Sequence, residues 1–494
     1  MVLLTAGLAF WFLFWKNNVM RLSKIIGVLT LSALFAVSCS KEAGTTNGSQ
    51  EVGCPEEMIL DIKFPGQTKP SHMTIDNQRK KVTLDFAEGV VPSHVELNLI
   101  LEEGVTMKNP SENPFVLDLT KTCPIVLAYA GKDYRYLVIA NYGDNSDENV
   151  MMDGPVSDMV LMYYGGSHRI GKSDWTPEQL RSNVVYEDRN GKEHWLFDSF
   201  LFLESSDGGG HYFESGIDDP SNPKPNEKGA NKSDWTKILD KYFAADGPIA
   251  RLDKEVGNAI QRVSVPVYKR KVVIFLPVPF YGQTNWGALS GKTMNFSVKA
   301  DRVEASKWYV DEVISRFNKL NAKYLALDGI YYVAEQLTNN RDYIPAVADY
   351  IKSKKLKFYW IPYWGADGMG EWENMKFDTA FLQPNYAFPK VKLDYDSHFK
   401  SVMNFASSKG MDLEMEFDEY ALYNNKLGDY RADRVRDYLR AFKAYGVTTK
   451  NKIAYYQSDC MVHALKTSEY KQDNDLYHEL CSMIVERQRR RGED

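Results

Sequence analysis

The sequence predicts an α/β protein, a TIM-type (β/α)₈ barrel preceded by a small all-β sandwich. Two patterns support this. Between residues 56 and 142 apolar residues alternate with polar ones at period two, and after residue 158 short strand-like runs alternate with helical patterns. A third observation is that strand-to-helix connections in the second part are long while helix-to-strand connections are short. Composition agrees: 494 residues with 44% hydrophobic and 26% charged side chains can bury a sizeable core, which excludes disorder as the main state. Lys+Arg 60 against Asp+Glu 66 gives a net charge of −6 and argues against a nucleic-acid binder. Five cysteines are too few for a disulfide scaffold.

The N-terminus carries targeting signals. Residues 2–15 are apolar but too short a run for a membrane span of about 20 residues. The pattern then restarts with Met20-Arg21 and Lys24, an apolar stretch from Ile25 to Val37, and Ala36-Val37-Ser38-Cys39. That is the three-part layout of a secretory signal. Residues 1–39 therefore read as an over-long start plus a signal peptide, the plain alternative being a signal-anchor helix. The small residues before Cys39 resemble the lipobox of bacterial lipoproteins, which implies lipidation of Cys39. Ser40-Lys41-Glu42 resembles the export signal of surface lipoproteins of Bacteroidetes, which implies the outer membrane and its outer surface. Residues 40–50 are a polar, flexible tether.

Residues 51–143 form the sandwich. Val82-Leu84-Phe86, Val95-Leu97-Leu99, Ile125-Leu127-Tyr129 and Tyr134-Tyr136-Val138 each turn one apolar face to a core. Gly131-Lys132-Asp133 marks a hairpin turn. Asp61-Ile62-Lys63-Phe64 and Tyr134-Arg135-Tyr136-Leu137-Val138 resemble immunoglobulin-like modules of gut Bacteroidetes lipoproteins, which implies a spacer or docking role. Residues 144–157 are a linker.

Residues 158–494 form the barrel. Its eight strands are expected at 158–164, 196–203, 272–278, 324–332, 356–363, 380–386, 411–417 and 452–457. Helical patterns fall at 301–320, 431–445 and 473–489. The long connections, 205–233, 281–298 and 365–372, all follow strands, so they gather on the C-terminal face where such barrels build their sites. No CxxC or HExxH occurs, so no metal and no cofactor is expected. Glu214, Asp218 and Asp219 supply oxygen donors in an acidic loop, but without Ca²⁺-loop spacing.

The chemistry is expected at the ends of strands four and seven. Glu335 lies just past strand four. Strand seven reads Met411-Asp412-Leu413-Glu414-Met415-Glu416-Phe417-Asp418, with every acid on an even number. Period two puts the four acids on one face, and the outward face packs under helices, so the acids point inward. Either they pair with buried Arg or Lys, or they are used. A carboxyl after strand four with another at strand seven resembles the retaining (β/α)₈ glycoside hydrolases, although Ala334 stands where that group often has Asn. The resemblance implies Glu416 as nucleophile and Glu335 as acid/base, with Glu414 and Asp418 as alternative nucleophiles. Carboxyls about 5–5.5 Å apart suit such a double displacement. Tyr164, Arg169, Tyr281, Trp286, Tyr332, Trp360, Trp364, Gln383, Asn385 and Tyr386 sit at expected strand ends or loops, where aromatic faces and amides suit a neutral or lightly charged glycan.

The segment from 158 to 489 also resembles an uncharacterised family of bacterial extracellular proteins. The resemblance rests on Tyr163-Tyr164-Gly165-Gly166, on Phe197 through Leu203, on Gly329-Ile330-Tyr331-Tyr332 with Glu335, and on Gly410 through Asp418. It implies a barrel and a place in glycan use. The resulting expectation is a lipid-anchored surface glycoside hydrolase, with a glycan as substrate and a polysaccharide-uptake complex as partner. The alternative is a non-catalytic glycan-binding lipoprotein with a degenerate barrel.

Overall fold

A computed structural model describes residues 55–491, apart from 56, 78–79, 121–122, 143–155, 165–174, 208, 215–227, 264–265 and 267. The expected signal, Cys39 and Arg169 lie outside the described residues. Among the described residues no helix is long and apolar enough to cross a membrane.

The first part holds two sheets. One has three strands in the order Ile59–Lys63, Val95–Leu101, Phe115–Leu117. The other has five, in the order His72–Asp76, Lys81–Asp85, Lys132–Asn141, Cys123–Tyr129, Thr106–Asn109. Pairing is antiparallel except between Lys81–Asp85 and Lys132–Asn141. The alternation explains the core: Val82, Leu84, Leu97, Leu99, Ile125, Leu127, Tyr136 and Val138 are buried in one cluster fed by both sheets. The hairpin loop is Ala130-Gly131, one residue earlier than expected, with both residues at positive φ (47° and 75°), which matches strand twist in a two-residue turn.

The second part is a closed barrel of eight parallel strands in chain order. They run Asp158–Tyr163, Ser199–Leu203, Arg270–Leu276, Leu325–Tyr332, Lys357–Trp360, Thr379–Leu382, Asp412–Glu416 and Ile453–Tyr456, the last pairing with the first. All eight expected strands occur, most of them trimmed at their ends. The three expected helices are Lys299–Leu320, Ala432–Ala444 and Lys471–Arg491. Parallel strands put every C-terminal end on one face, so side chains distant in sequence meet there.

Strand four carries a bulge. Val272 pairs with Leu327 but Val273 pairs with Gly329, so Asp328 is the extra residue. Gly329 has no room for a side chain, since a Cβ there would lie 2.4 Å from the Lys357 carbonyl oxygen. Asp328 turns to Lys357, 3.1 Å away, and to buried Lys271 and Tyr359. Beyond the bulge the alternation is reversed.

Cys481 is a free buried thiol.

Candidate active site

Strand register builds the mouth. Leu382 of strand six lies beside Leu413 of strand seven, which sets Gln383 beside Glu414. Tyr363, after strand five, bridges to Gln383 on the other side. The Gln383 amide donates to Glu335 Oε1 at 3.1 Å and so links the end of strand four to strand seven. The indole N–H of buried Trp360 donates to the Ala334 carbonyl at 2.8 Å and holds the Glu335 turn in place.

Glu414 is 0% exposed, and the Gln383 amide that faces it falls short of good hydrogen-bond geometry to either of its oxygens. Glu416 is also 0% exposed, but its Oε2 accepts from the Tyr438 hydroxyl on the following helix, while Oε1 has no partner. The backbone N–H groups of Asn385 and Tyr386 also face Glu416. Asn385 stands at φ 57°, the left-handed conformation that Asn tolerates.

Burial dominates the electrostatics. It pushes the Glu414 carboxyl well above its ordinary range, and the Glu416 and Glu335 carboxylates push it further. Glu416 is pushed up to about 8 by burial, against the opposing Tyr438 hydroxyl and backbone N–H groups. Glu335 is raised by burial, against the Gln383 amide. Glu214, in the loop after strand two, is pushed up to about 8 by burial and by Glu335. Tyr163 and Tyr331 also face Glu335 and Glu414, which with burial hold their phenols well above 10. Among the described residues no Lys or Arg enters the balance at Glu214, Glu335, Glu414 or Glu416. Among the described residues, then, no Arg or Lys makes the pairing that is the plain alternative for Glu414 and Glu416.

These side chains belong to a segment with a family. A family model described as "Domain of unknown function (DUF4855)" matches residues 158–482. The chain belongs to the DUF4855 family. The match falls within the barrel and takes in every carboxyl of the mouth. No curated protein matches the sequence. Among solved structures, the chain is similar to a protein from Bacteroides thetaiotaomicron assigned as an α-L-fucosidase, at 14% identity, covering 69% of this chain and 98% of that one, with a TM-score of 0.38. It is similar to the catalytic domain of a fern GH18 chitinase at 12% identity, covering 65% and 99%, with a TM-score of 0.32. It is also similar to a tryptophan synthase α-subunit from Pyrococcus furiosus at 8% identity, covering 68% and 100%, with a TM-score of 0.30.

In this DUF4855 domain Glu335, Gln383, Glu414 and Glu416 come together, and several other expected residues do not join them. Tyr164 is buried against Tyr242. Trp286 is 1% exposed and packs on Trp235, Phe296 and Trp308. Tyr332 packs outward on Phe358 and Phe377. Tyr386 packs on Phe399 and Tyr438 and donates to Asp437 at 2.8 Å. Each is a correction with the same cause: a large ring gains more from burial under a helix than from a wet rim. Tyr281 is 51% exposed with the Arg302 guanidinium 5.5 Å from its ring. Trp364 is half-buried on Phe405, and its backbone N–H donates to the Gln383 carbonyl. Asp418 has left the strand, accepts from the Tyr420 N–H and is pushed up to about 6 by burial.

Sequence reasoning missed Tyr331, Tyr163, Tyr438 and the place of Glu214 at the mouth. Uninterrupted alternation from inward-facing Asp328 selects Tyr332, and the bulge selects Tyr331 instead. Outside the mouth, Asp207, His211 and Asp234 place ligand atoms within 4.8 Å of one another. His211 Nδ1 lies 3.0 Å from Asp234 and 3.2 Å from Asp207, spacing that serves a shared proton or a metal ion.

Proposed function

We propose that the barrel hydrolyses glycosidic bonds at its C-terminal mouth, with Glu335 as acid/base and Glu416 as nucleophile in a retaining double displacement. One observation supports this reading above the rest: carboxyls from strands four and seven gather in one low-dielectric place, joined through Gln383 and uncompensated by any cation among the described residues. Their surroundings differ, as two roles require. Glu416 is met by a phenol and two backbone N–H groups, which only partly offset the burial that holds its carboxyl up to about 8, so it gives up its proton before it attacks. Glu335 has a single amide donor and is partly exposed, which suits a proton donor to a leaving oxygen. In the first step the Glu416 carboxylate attacks the anomeric carbon while Glu335 gives its proton to the departing oxygen. In the second, Glu335 takes a proton from water, which displaces Glu416.

A screen of oligosaccharides for cleavage tests it, with Glu416→Gln and Glu335→Gln beside the wild type. The anomer released first, read by NMR, separates retention from inversion. If the wild type and both variants bind a glycan equally and none cleaves it, hydrolysis is excluded. The complete burial of Glu414 and Glu416 favours a second reading, a glycan-binding barrel in which these acids serve as hydrogen-bonding groups. The first part of the chain is proposed to be an immunoglobulin-like spacer. Cys39 is proposed as the lipid anchor that holds the protein on the outer membrane beside a polysaccharide-uptake complex. Fatty-acid labelling that persists in Cys39→Ala would exclude that anchor.

A further inference from the structure

We propose that the mouth recognises a positively charged saccharide, one with free amines, through Glu214, Glu335 and Glu414 with Tyr163, Tyr331 and Tyr363 around them. This rests on the reading of the mouth as a glycan site and adds the class of glycan.

The argument begins with placement. The three carboxyls come from the loop after strand two, the turn after strand four and strand seven, so they face one another across the barrel. Glu335 is faced by Gln383, Glu214, Glu414 and Glu416, and by the three tyrosines. Glu414 is faced by Gln383, Glu335 and Glu416, and by Tyr163, Tyr331, Tyr438 and Tyr456. Among the described residues no cation stands with these groups.

Glu414 then supplies an independent observation. It is wholly buried, and the one donor that faces it, the Gln383 amide, is committed to Glu335, so among the described residues neither of its oxygens makes a hydrogen bond of good geometry. A buried carboxyl in that state is costly to keep, and a ligand cation removes the cost. Elsewhere in the same barrel buried acids have their cations built in: Asp158 has Arg487 at 2.7 Å, and Asp328 has Lys271 at 3.7 Å.

The arrangement also separates an organic cation from a metal ion. Among the described residues the only trio of ligand atoms within 4.8 Å is Asp207, His211 and Asp234, so no three mouth carboxyls converge on one point. Spread carboxyls with tyrosines between them fit a larger cation, whose ammonium meets carboxylates and ring faces while its hydroxyls reach Gln383. Partly exposed Glu335 and Glu214 are the first acids such a ligand meets, and Glu414 lies deeper. Of the neutral or lightly charged glycan expected from the polar, aromatic strand ends, only a charged one uses these carboxyls. Because the acids are held toward their protonated forms, a cation binding beside them releases protons.

The test measures binding of three hexasaccharides to the full chain by calorimetry in amine-free buffers at about pH 5.5, where the glucosamine amines already carry their protons: glucosamine hexamer, N-acetylglucosamine hexamer and cellohexaose. Cleavage of each is followed by chromatography. The glucosamine hexamer should bind at least about tenfold tighter than either neutral hexamer, a difference weakened by salt. Its binding should release protons, seen as a heat that depends on the buffer. Glu414→Gln should erase most of the preference, and its melting temperature checks that it folds. Glu335→Gln provides the same comparison should Glu414→Gln not fold. Equal binding of charged and neutral hexamers overturns the inference, and cleavage of a neutral hexamer in that case leaves the hydrolase reading standing. Preferential binding of the amine hexamer without cleavage of any hexamer upholds the inference and overturns hydrolysis. No binding of any hexamer overturns both.

Discussion

At the N-terminal end of the barrel, Asp158 is buried with the Arg487 guanidinium 2.7 Å away and the Tyr455 hydroxyl also at 2.7 Å. At the C-terminal end, Glu414 and Glu416 are buried just as completely, and among the described residues no cation stands against them. The chain can therefore supply a counter-ion to a buried carboxylate, and does so where the acid ties elements together. Arg487, on the last helix, also donates to the Val447, Thr448, Ser157 and Asn451 carbonyls, closing the bottom of the barrel. The uncompensated end is the end where a ligand is expected, and the contrast separates what stabilises the barrel from what equips it for chemistry.

Four experiments press on that contrast. The largest effect is expected at the mouth. Glu416→Gln should lower turnover of a cleaved glycan by about 10³-fold or more while leaving the melting temperature unchanged or raised. A variant that loses activity only by unfolding would erase the distinction between the two ends. At the bottom, Arg487→Ala takes the guanidinium away from buried Asp158, and should cost about 3–5 kcal/mol in denaturant unfolding. A cost below about 1 kcal/mol would mean that Asp158 does not need its counter-ion.

Gly329→Ala should destabilise by about 1–3 kcal/mol, because its Cβ meets the Lys357 carbonyl and the Tyr359 ring at the bulge between the two ends. An unchanged melting curve would show that the bulge is not the constraint described above.

The fourth effect is a slope. Glu416 and Glu214 have folded-state values of about 8, raised above the 4.5 of an unfolded glutamate. A carboxyl raised on folding favours the folded state fully below pH 4.5, and that contribution fades as pH rises toward 8. Stability should therefore fall across this window by up to about 1.4 kcal/mol per pH unit for each such group. Glu416→Gln should flatten the slope in pH-dependent melting, and a slope unaltered by the variant would deny the burial effect at this residue.

Much of the barrel was legible because its signals are local. Strand seven shows this best: Leu413 and Met415 on one parity and Glu414 and Glu416 on the other can be read from adjacent residues, and the structure buries all four as that alternation requires. Strand four shows the limit. The inserted Asp328 depends on the Lys271 and Tyr359 that receive it, and nothing in Leu325–Tyr332 read alone announces a bulge. Trp286 has a similar limit, since a tryptophan in a long loop carries no local mark that Trp235 and Trp308 will enclose it.

The order of eight strands, the face on which the long loops gather and the parity of the acids in strand seven follow from the sequence alone, because hydrophobic period and loop length are properties of neighbours along the chain. The tertiary structure alone decided that Gln383 ties Glu335 to strand seven, that Tyr438 rather than an arginine meets Glu416, and that Glu214 arrives from a distant loop. Those choices depend on which side chains meet across a closed sheet, and the dielectric that sets their charge exists only once the sheet has closed.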